Sequence, residues 1–147
     1  MHDSVRSLIE LLQSDKRYKY EAYVFVFEAL RYAQTVLGLG TPAESEPADE
    51  IEEPPKTEEP GADRHVSGQE LCMAIRQFAV EQYGLMAKTV LNSWGVNATV
   101  DFGEIVFNLI RIGKMRKTRQ DRLEDFNDVY NFDTALRPEF KVTMPQK

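Results

Sequence analysis

The sequence predicts a mainly α-helical fold: a single compact helical domain of about five or six helices with a long disordered acidic linker. Apolar residues recur at intervals of three and four residues in several separate stretches, which is the spacing of one helix face. Residues that begin and end helices flank these stretches. The chain has 147 residues, of which 42% are hydrophobic, and this is enough for one domain with its own core.

An N-terminal pair of helices is predicted over residues 1–39. Asp3 or Ser4 can cap the first helix, whose inward stripe is Val5, Leu8, Ile9 and Leu12. A second helix runs from residue 19 to residue 37 and ends at Gly38, because glycine readily adopts the left-handed conformation that closes a helix. The run YVFVF has strand propensity, but the polar residues Glu21, Glu28, Arg31 and Thr35 form one helical stripe, which favours a helix.

An acidic linker is predicted over residues 40–64. It holds five of the seven prolines and almost no large apolar residue, so it cannot bury enough surface to offset the entropy of ordering. Its nine acids and two bases give −7, and the difference from the total of −6 leaves +1 for the rest of the chain. We expect a disordered segment, either a solvated loop insertion or an acidic arm that docks on a basic partner or on the protein's own basic cluster.

The helical core is predicted over residues 65–136 and begins with a capping box, Ser67 and Glu70, in which each side chain accepts a hydrogen bond from an amide of the other end of the turn. The third helix carries Leu71, Ile75, Phe78 and Ala79 on its inward face and ends at Gly84. A short fourth helix over 85–93 carries Leu85, Met86, Val90 and Leu91. Trp94 is expected to anchor the turn that follows.

Residues 99–113 are predicted to form the central helix. Thr99 is placed at its cap, Asp101 in the first turn where the helix dipole favours a negative charge, and Gly113 at its end. Its apolar face is Phe102, Ile105, Val106, Leu109 and Ile110. Phe107 lies off this face, so we expect neighbours on more than one side. The DFG tripeptide at 101–103 is a helix start, because the chain is too short for the other parts of a kinase.

A further helix is predicted after Gly113, beginning with Thr118 and Asp121. If helical, this segment places four acids on one face and Leu123, Phe126 and Tyr130 on the opposite one. The acids are Asp121, Glu124, Asp125 and Asp128. A last short turn over 131–136 packs Phe132 and Leu136, and residues 137–147 form a tail. The acidic face fits a hard cation or a basic partner, but a solvated helix face is the favoured interpretation.

Composition argues for a soluble cytoplasmic protein. No apolar run approaches the length needed to cross a bilayer, and the N-terminus does not resemble a signal peptide. The single cysteine, Cys72, excludes an internal disulfide and leaves no zinc pattern. No phosphate loop, dinucleotide fingerprint or nucleophile elbow is present, and we expect no cofactor and no metal.

Two groups of residues are candidates for chemistry or binding. His65, Glu70 and Cys72 are close in sequence and suggest a thiol–imidazole pair, although burial of Cys72 as a small apolar residue is favoured. The second group is the one basic cluster of the chain, which can contact phosphate groups or stabilise the C-terminal end of the central helix. The basic cluster consists of Arg111, Lys114, Arg116, Lys117, Arg119 and Arg122.

Three pieces of the chain carry a family resemblance: residues 64–71 (RHVSGQEL), 90–96 (VLNSWGV) and 101–109 (DFGEIVFNL). They are similar to a small uncharacterised bacterial protein family known mainly from the planctomycete and verrucomicrobial lineages. The resemblance extends over nearly the whole chain apart from the linker, which is longer here than in a typical member. It implies a bacterial lineage and a compact domain, and it implies no activity, ligand or catalytic residue.

The leading interpretation is a non-enzymatic protein-interaction or regulatory module with an unknown protein partner and no contact with a membrane. The alternative is a protein that binds nucleic acid or another polyanion through the basic cluster. The third is a small enzyme of unknown reaction that uses His65, Glu70 and Cys72. The oligomeric state does not follow from the sequence.

Overall fold

Six α-helices make up most of the computed structural model, which describes residues 3–40, 65–116 and 121–137. They are α1 (Asp3–Ser14), α2 (Tyr20–Thr35), α3 (Gly68–Tyr83), α4 (Ala87–Ser93), α5 (Thr99–Arg111) and the single turn α6 (Phe132–Ala135). Two 3-10 turns, Gly84–Met86 and Leu123–Phe126, complete the order. The predicted mainly helical class is confirmed. The predicted linker, apart from Gly40, and the predicted tail, apart from Arg137, lie outside the described residues.

Helix α5 lies at the centre, as its sequence predicts. Phe102 and Ile105 are completely buried, Val106 and Leu109 are nearly so, and Ile110 and Phe107 are half-buried against the core. The helix packs on α2, on α3 and on the Leu123–Phe126 turn. Its wide apolar arc therefore has neighbours on several sides, as expected from the position of Phe107.

Helices α2 and α3 form an antiparallel pair joined by aromatic rings. The Phe25 ring lies 5.2 Å from that of Phe78 and 6.1 Å from that of Tyr83, while Tyr32 lies 5.0 Å from Phe78. Trp94 closes the same layer, with ring centroids 5.6 Å from Phe25 and 6.0 Å from Tyr83. The predicted anchoring role of Trp94 is confirmed.

Several helix ends follow the predicted chemistry. The Ser67 hydroxyl accepts from the Glu70 amide at 3.1 Å, and the Glu70 carboxylate accepts from the Ser67 amide at 2.9 Å, which confirms the capping box. Gly113, with φ of 81°, ends α5 in a Schellman motif, because the Gly113 amide donates to Ile110 and the Lys114 amide donates to Leu109.

The predicted cap of α5 is wrong in its detail. Thr99 is already the first helical residue and Ala98 precedes the helix. Asp101 in the first turn reaches back instead, and its Oδ2 accepts from the amides of the two residues before the helix, Asn97 at 2.8 Å and Ala98 at 3.1 Å. The Thr99 hydroxyl is engaged with the C-terminal part of the chain, so it is not available to cap its own helix.

Two apolar faces are also turned differently from the prediction. In α1 the most buried residue is Leu11. Of the predicted stripe, Leu8 and Leu12 are half-buried against the core, whereas Val5 and Ile9 are half exposed. Leu11 and Asp15 are four residues apart and so share a side, which lies towards α5 because Asp15 accepts a hydrogen bond from Asn108. After α3, Leu85 and Met86 belong to the 3-10 turn and are exposed, while Ala87 and Leu91 of α4 are buried.

The helix predicted to begin at Thr118 is not formed within residues 121–131. That stretch contains only the 3-10 turn Leu123–Phe126, followed by Asp128 with a positive φ of 49°. Tertiary contacts of Phe126 and Thr99, described below, replace the regular helix. The short turn predicted over 131–136 is confirmed as α6, where the Asn131 side chain accepts from the Asp133 amide at 2.7 Å.

Candidate interaction surfaces

A polar network joins the turn between α1 and α2 to α5. The Asn108 side chain is buried and donates to Asp15 and to the Tyr23 hydroxyl, both at 3.1 Å. Arg17 donates to Asp15 at 2.8 Å and to Glu104 at 3.3 Å. The Arg17 hydrogen bonds hold the pKa of Asp15 well below its usual range. These hydrogen bonds connect the turn between α1 and α2 to α5. No short motif in the sequence indicated them.

The basic cluster is only partly available for an anionic partner. Arg111 donates to the side-chain Oδ1 of Asn108 at 2.7 Å and thereby joins the polar network. Lys114 and Arg116 are half-buried and Arg122 is exposed; within the part of the chain that the structure describes, none of these three side chains forms an ion pair. Lys117 and Arg119 lie outside the described residues.

His65, Glu70 and Cys72 do not form a catalytic arrangement. Among the described residues no hydrogen bond joins these three side chains: His65 Nε2 contacts the Asp121 carboxylate at 3.0 Å, and Glu70 belongs to the capping box. Cys72 is completely buried, and burial raises the pKa of its thiol to about 12. The thiol therefore stays protonated, and the predicted buried role of Cys72 is confirmed.

The predicted acidic face is dispersed, because its helix is not formed. Asp121 contacts His65, and Asp125 accepts from the Arg122 amide at 3.2 Å. Within the described ranges, no group of three or more histidine, cysteine or acidic side chains is arranged to hold a metal ion.

A slot between α3 and α5 receives the ring of Phe126. A Cβ atom on Gly68 would lie 2.8 Å from the ring, and one on Gly103 would also lie 2.8 Å from it. The Thr99 hydroxyl donates to the Phe126 carbonyl at 2.7 Å and accepts from the Val129 amide at 3.1 Å. We call Gly68, Thr99 and Gly103 the Phe126 slot, and residues 121–136 the C-terminal segment.

The C-terminal segment is fastened at further points along its length. Tyr130 donates to the Cys72 carbonyl at 2.6 Å, and the Phe132 ring stacks on Phe102 at 5.7 Å. Phe126, Phe132 and Leu136 are all buried. The sequence signal that points to the slot is Gly103, which lies in the interior of α5, where glycine is otherwise unfavourable; Gly68 is the first residue of α3.

One corner of the molecule exposes large apolar side chains. Leu85 is 79% exposed and Met86 55%, both in the turn between α3 and α4, and Tyr20 at the start of α2 is 52% exposed. The two places are adjacent, because the Lys19 amide donates to the Trp94 carbonyl at 3.1 Å and the Trp94 ring packs on Tyr83. We call Tyr20, Leu85 and Met86 the Leu85 corner.

The two ends of the predicted linker meet. A Cβ atom on Gly40 would lie 2.7 Å from the carbonyl oxygen of His65, and Gly40 has a positive φ of 96°. Residues 40 and 65, which flank the predicted linker, therefore lie side by side.

No family model, curated protein or solved structure matches this chain. Within the described residues, no helix is both long enough and apolar enough to span a bilayer. The bacterial family resemblance therefore stays a prediction.

Proposed function

We propose that this protein is a cytoplasmic, non-enzymatic protein-interaction module that binds a protein partner through the Leu85 corner. The observation that carries the proposal is the exposure of Leu85 and Met86, at 79% and 55%. Exposure of two neighbouring large apolar side chains to water is unfavourable. Their burial by a partner would contribute about 1.5–3 kcal/mol for each side chain.

The surroundings of the corner support a rigid docking point. Gly84 ends α3 with φ of 55°, and Ala87 and Leu91 fix α4 in the core directly after the turn. Tyr83, the residue directly before the turn, packs its ring on that of Trp94 with centroids 6.0 Å apart. A partner therefore meets a preformed apolar projection, which reduces the ordering cost of binding. The matching surface is an apolar pocket or groove on another protein.

Site-specific photocrosslinking in the host cell tests this proposal. A photoreactive residue at position 86 should give one discrete protein adduct, and Leu85→Ser in the same chain should remove that adduct. The matched control carries the photoreactive residue at Gln69, an exposed position at the opposite end of α3. The same adducts from both positions, or an adduct that survives Leu85→Ser, would contradict the proposal.

The second candidate function is binding of nucleic acid or another polyanion by the basic cluster. It is supported by the three cationic side chains of Lys114, Arg116 and Arg122, which pair with no carboxylate of the described residues. Counterion release makes such binding steeply dependent on salt. Electrophoretic mobility of a short duplex DNA or RNA at low salt measures it.

Matched charge variants separate specific binding from general attraction. Alanine at Lys114, Arg116, Lys117 and Arg119 should abolish binding, whereas alanine at the exposed residues Arg6, Lys16 and Lys19 should leave it nearly unchanged. Each lost phosphate contact should reduce the slope of log K against log salt by about 0.9. Absence of any shift at low salt, or equal losses in both variants, would dismiss this candidate.

A further inference from the structure

Two methionines of the described chain are exposed to almost the same extent. Met86 is 55% exposed in the turn between α3 and α4, and Met73 is 54% exposed on the outer face of α3. The remaining described methionine, Met115, is half-buried against the core. A dissolved oxidant has to reach a thioether before it reacts, so Met86 and Met73 should be oxidised at similar rates.

The surroundings of these two methionines differ. Gln69 and Gln77 lie four residues before and after Met73, so they share its side of α3, and both are exposed. Met86 instead belongs to the Leu85 corner and follows Leu85 directly in the same turn. A polar atom added at position 73 therefore extends a polar surface, whereas a polar atom added at position 86 interrupts an apolar one.

Oxidation by a hydroperoxide adds such a polar atom. The sulfur lone pair attacks one peroxide oxygen, the O–O bond breaks and an S–O bond forms, and with hydrogen peroxide the other oxygen leaves as water. The sulfur loses two electrons and the peroxide gains them. The product, methionine sulfoxide, is polar. Methionine sulfoxide reductases reverse the step at the expense of a dithiol, which becomes a disulfide while the oxygen leaves as water.

We propose that Met86 is a reversible oxidation site that regulates docking at the Leu85 corner: the thioether form binds the protein partner, and the sulfoxide form does not. This inference rests on the proposed function and adds its regulation. An apolar pocket removes water from the sulfoxide oxygen and offers it no hydrogen-bond donor, so we expect affinity to fall about tenfold or more. The fold should be unaffected, because Met86 lies outside the core.

Photocrosslinking from position 20 tests this regulation while Met86 stays in place. The full chain carries a diazirine residue instead of Tyr20, which belongs to the same corner, and is treated with hydrogen peroxide. After removal of the peroxide it is mixed with desalted host lysate, which lacks small-molecule reductants, and irradiated. Mass spectrometry of the peptides measures oxidation at positions 73 and 86. The matched variants are Met86→Leu and Met73→Leu, each of which keeps one exposed thioether.

Oxidation should reduce the yield of one discrete adduct about tenfold in the chain with both methionines and in Met73→Leu. The yield in Met86→Leu should be unchanged, and sulfoxide reductases with a dithiol should restore the adduct of the oxidised chains. An unchanged yield after oxidation of Met86, an equal loss in Met86→Leu, or resistance of Met86 to peroxide would overturn the regulation alone. Absence of a discrete adduct from the untreated chain would overturn the proposed function as well.

Discussion

Helix α1 and the C-terminal segment lie at the two ends of the chain and are integrated into the domain in opposite ways. Helix α1 has three regular turns, but among its described side chains Leu11 alone is buried; Leu8 and Leu12 are half-buried against the core, and Val5 and Ile9 are half exposed. The C-terminal segment has almost no regular structure but buries three large side chains and forms hydrogen bonds to Thr99 and Cys72. Regularity of secondary structure and contribution to stability are therefore separate properties in this protein.

The largest expected effect in this comparison comes from Phe126→Ala. Because the slot is lined by two glycines, the helices cannot close the cavity that the ring leaves, and we expect a loss of about 3–5 kcal/mol in the free energy of unfolding. Chemical denaturation measures it. Leu123→Ala, in the same turn but 37% exposed, should cost clearly less. Similar losses in the two variants would mean that the slot contributes little.

Gly103→Ala should change the free energy of unfolding by a smaller amount, and the direction of that change tests the slot. In an ordinary helix this change stabilises by about 1 kcal/mol. Here the new methyl group meets three atoms of Phe126 at 2.8–2.9 Å, so we expect a net destabilisation of about 1–2 kcal/mol. In a Phe126→Ala background the same change should cost less, because the two ring contacts disappear and only the contact with Cβ of residue 126 at 2.9 Å remains. Thermal unfolding of the wild type, the two single variants and the double variant gives the coupling free energy between the two positions. Absence of coupling would mean that the Phe126 ring does not lie against Gly103.

Substitutions in α1 should lower the free energy of unfolding at one position and leave it nearly unchanged at another. Leu11→Ala should cost about 2 kcal/mol, at the lower end for a buried leucine, because α1 lies at the edge of the core. Ile9→Ser, on the half-exposed side, should change the free energy of unfolding by less than about 0.5 kcal/mol. The reverse order in denaturant titrations would show that the helix is rotated towards its predicted stripe.

The last expected effect is a change in the pH dependence of stability when Asp15 is replaced. The folded-state pKa of Asp15 is lowered by the hydrogen bonds from Arg17, so its contribution to stability is present above the ordinary carboxyl pKa of about 4 and is lost as pH falls through the folded value. Asp15→Asn should therefore lower stability at pH 7 and flatten its decline below about pH 4. Parallel pH profiles for the two proteins would exclude this role.

The sequence predicted the features that depend on local chemistry. Spacing of apolar residues located α2, α3 and α5, and the chemistry of Ser67, Glu70 and Gly113 fixed two helix ends. Tertiary contacts decided the rest. Thr99 resembles a cap, but its hydroxyl bonds Phe126 and Val129; the acids after residue 120 resemble a helix face, but Phe126 is held in a slot that only the folded pair of α3 and α5 creates.

The candidate surfaces were only partly accessible from sequence for the same reason. The basic cluster can be recognised in the sequence, and Arg111 bonds Asn108 within α5. The fold decides the remaining partners of Asn108, Asp15 and Tyr23, which come from distant parts of the chain. Leu85 and Met86 fit an inward helix face by spacing, and a 3-10 turn after Gly84 turns them outwards. Position in the fold, which the spacing of apolar residues does not encode, decides whether an apolar residue is buried or exposed.

Native-state hydrogen exchange at the Val129 amide tests the central claim most directly. This amide donates to Thr99 from a stretch without regular structure. If the C-terminal segment is an integral part of the core, Val129 should exchange with an opening free energy close to that of the α5 amides and well above that of the α1 amides. Exchange of Val129 as fast as that of α1 would contradict the account.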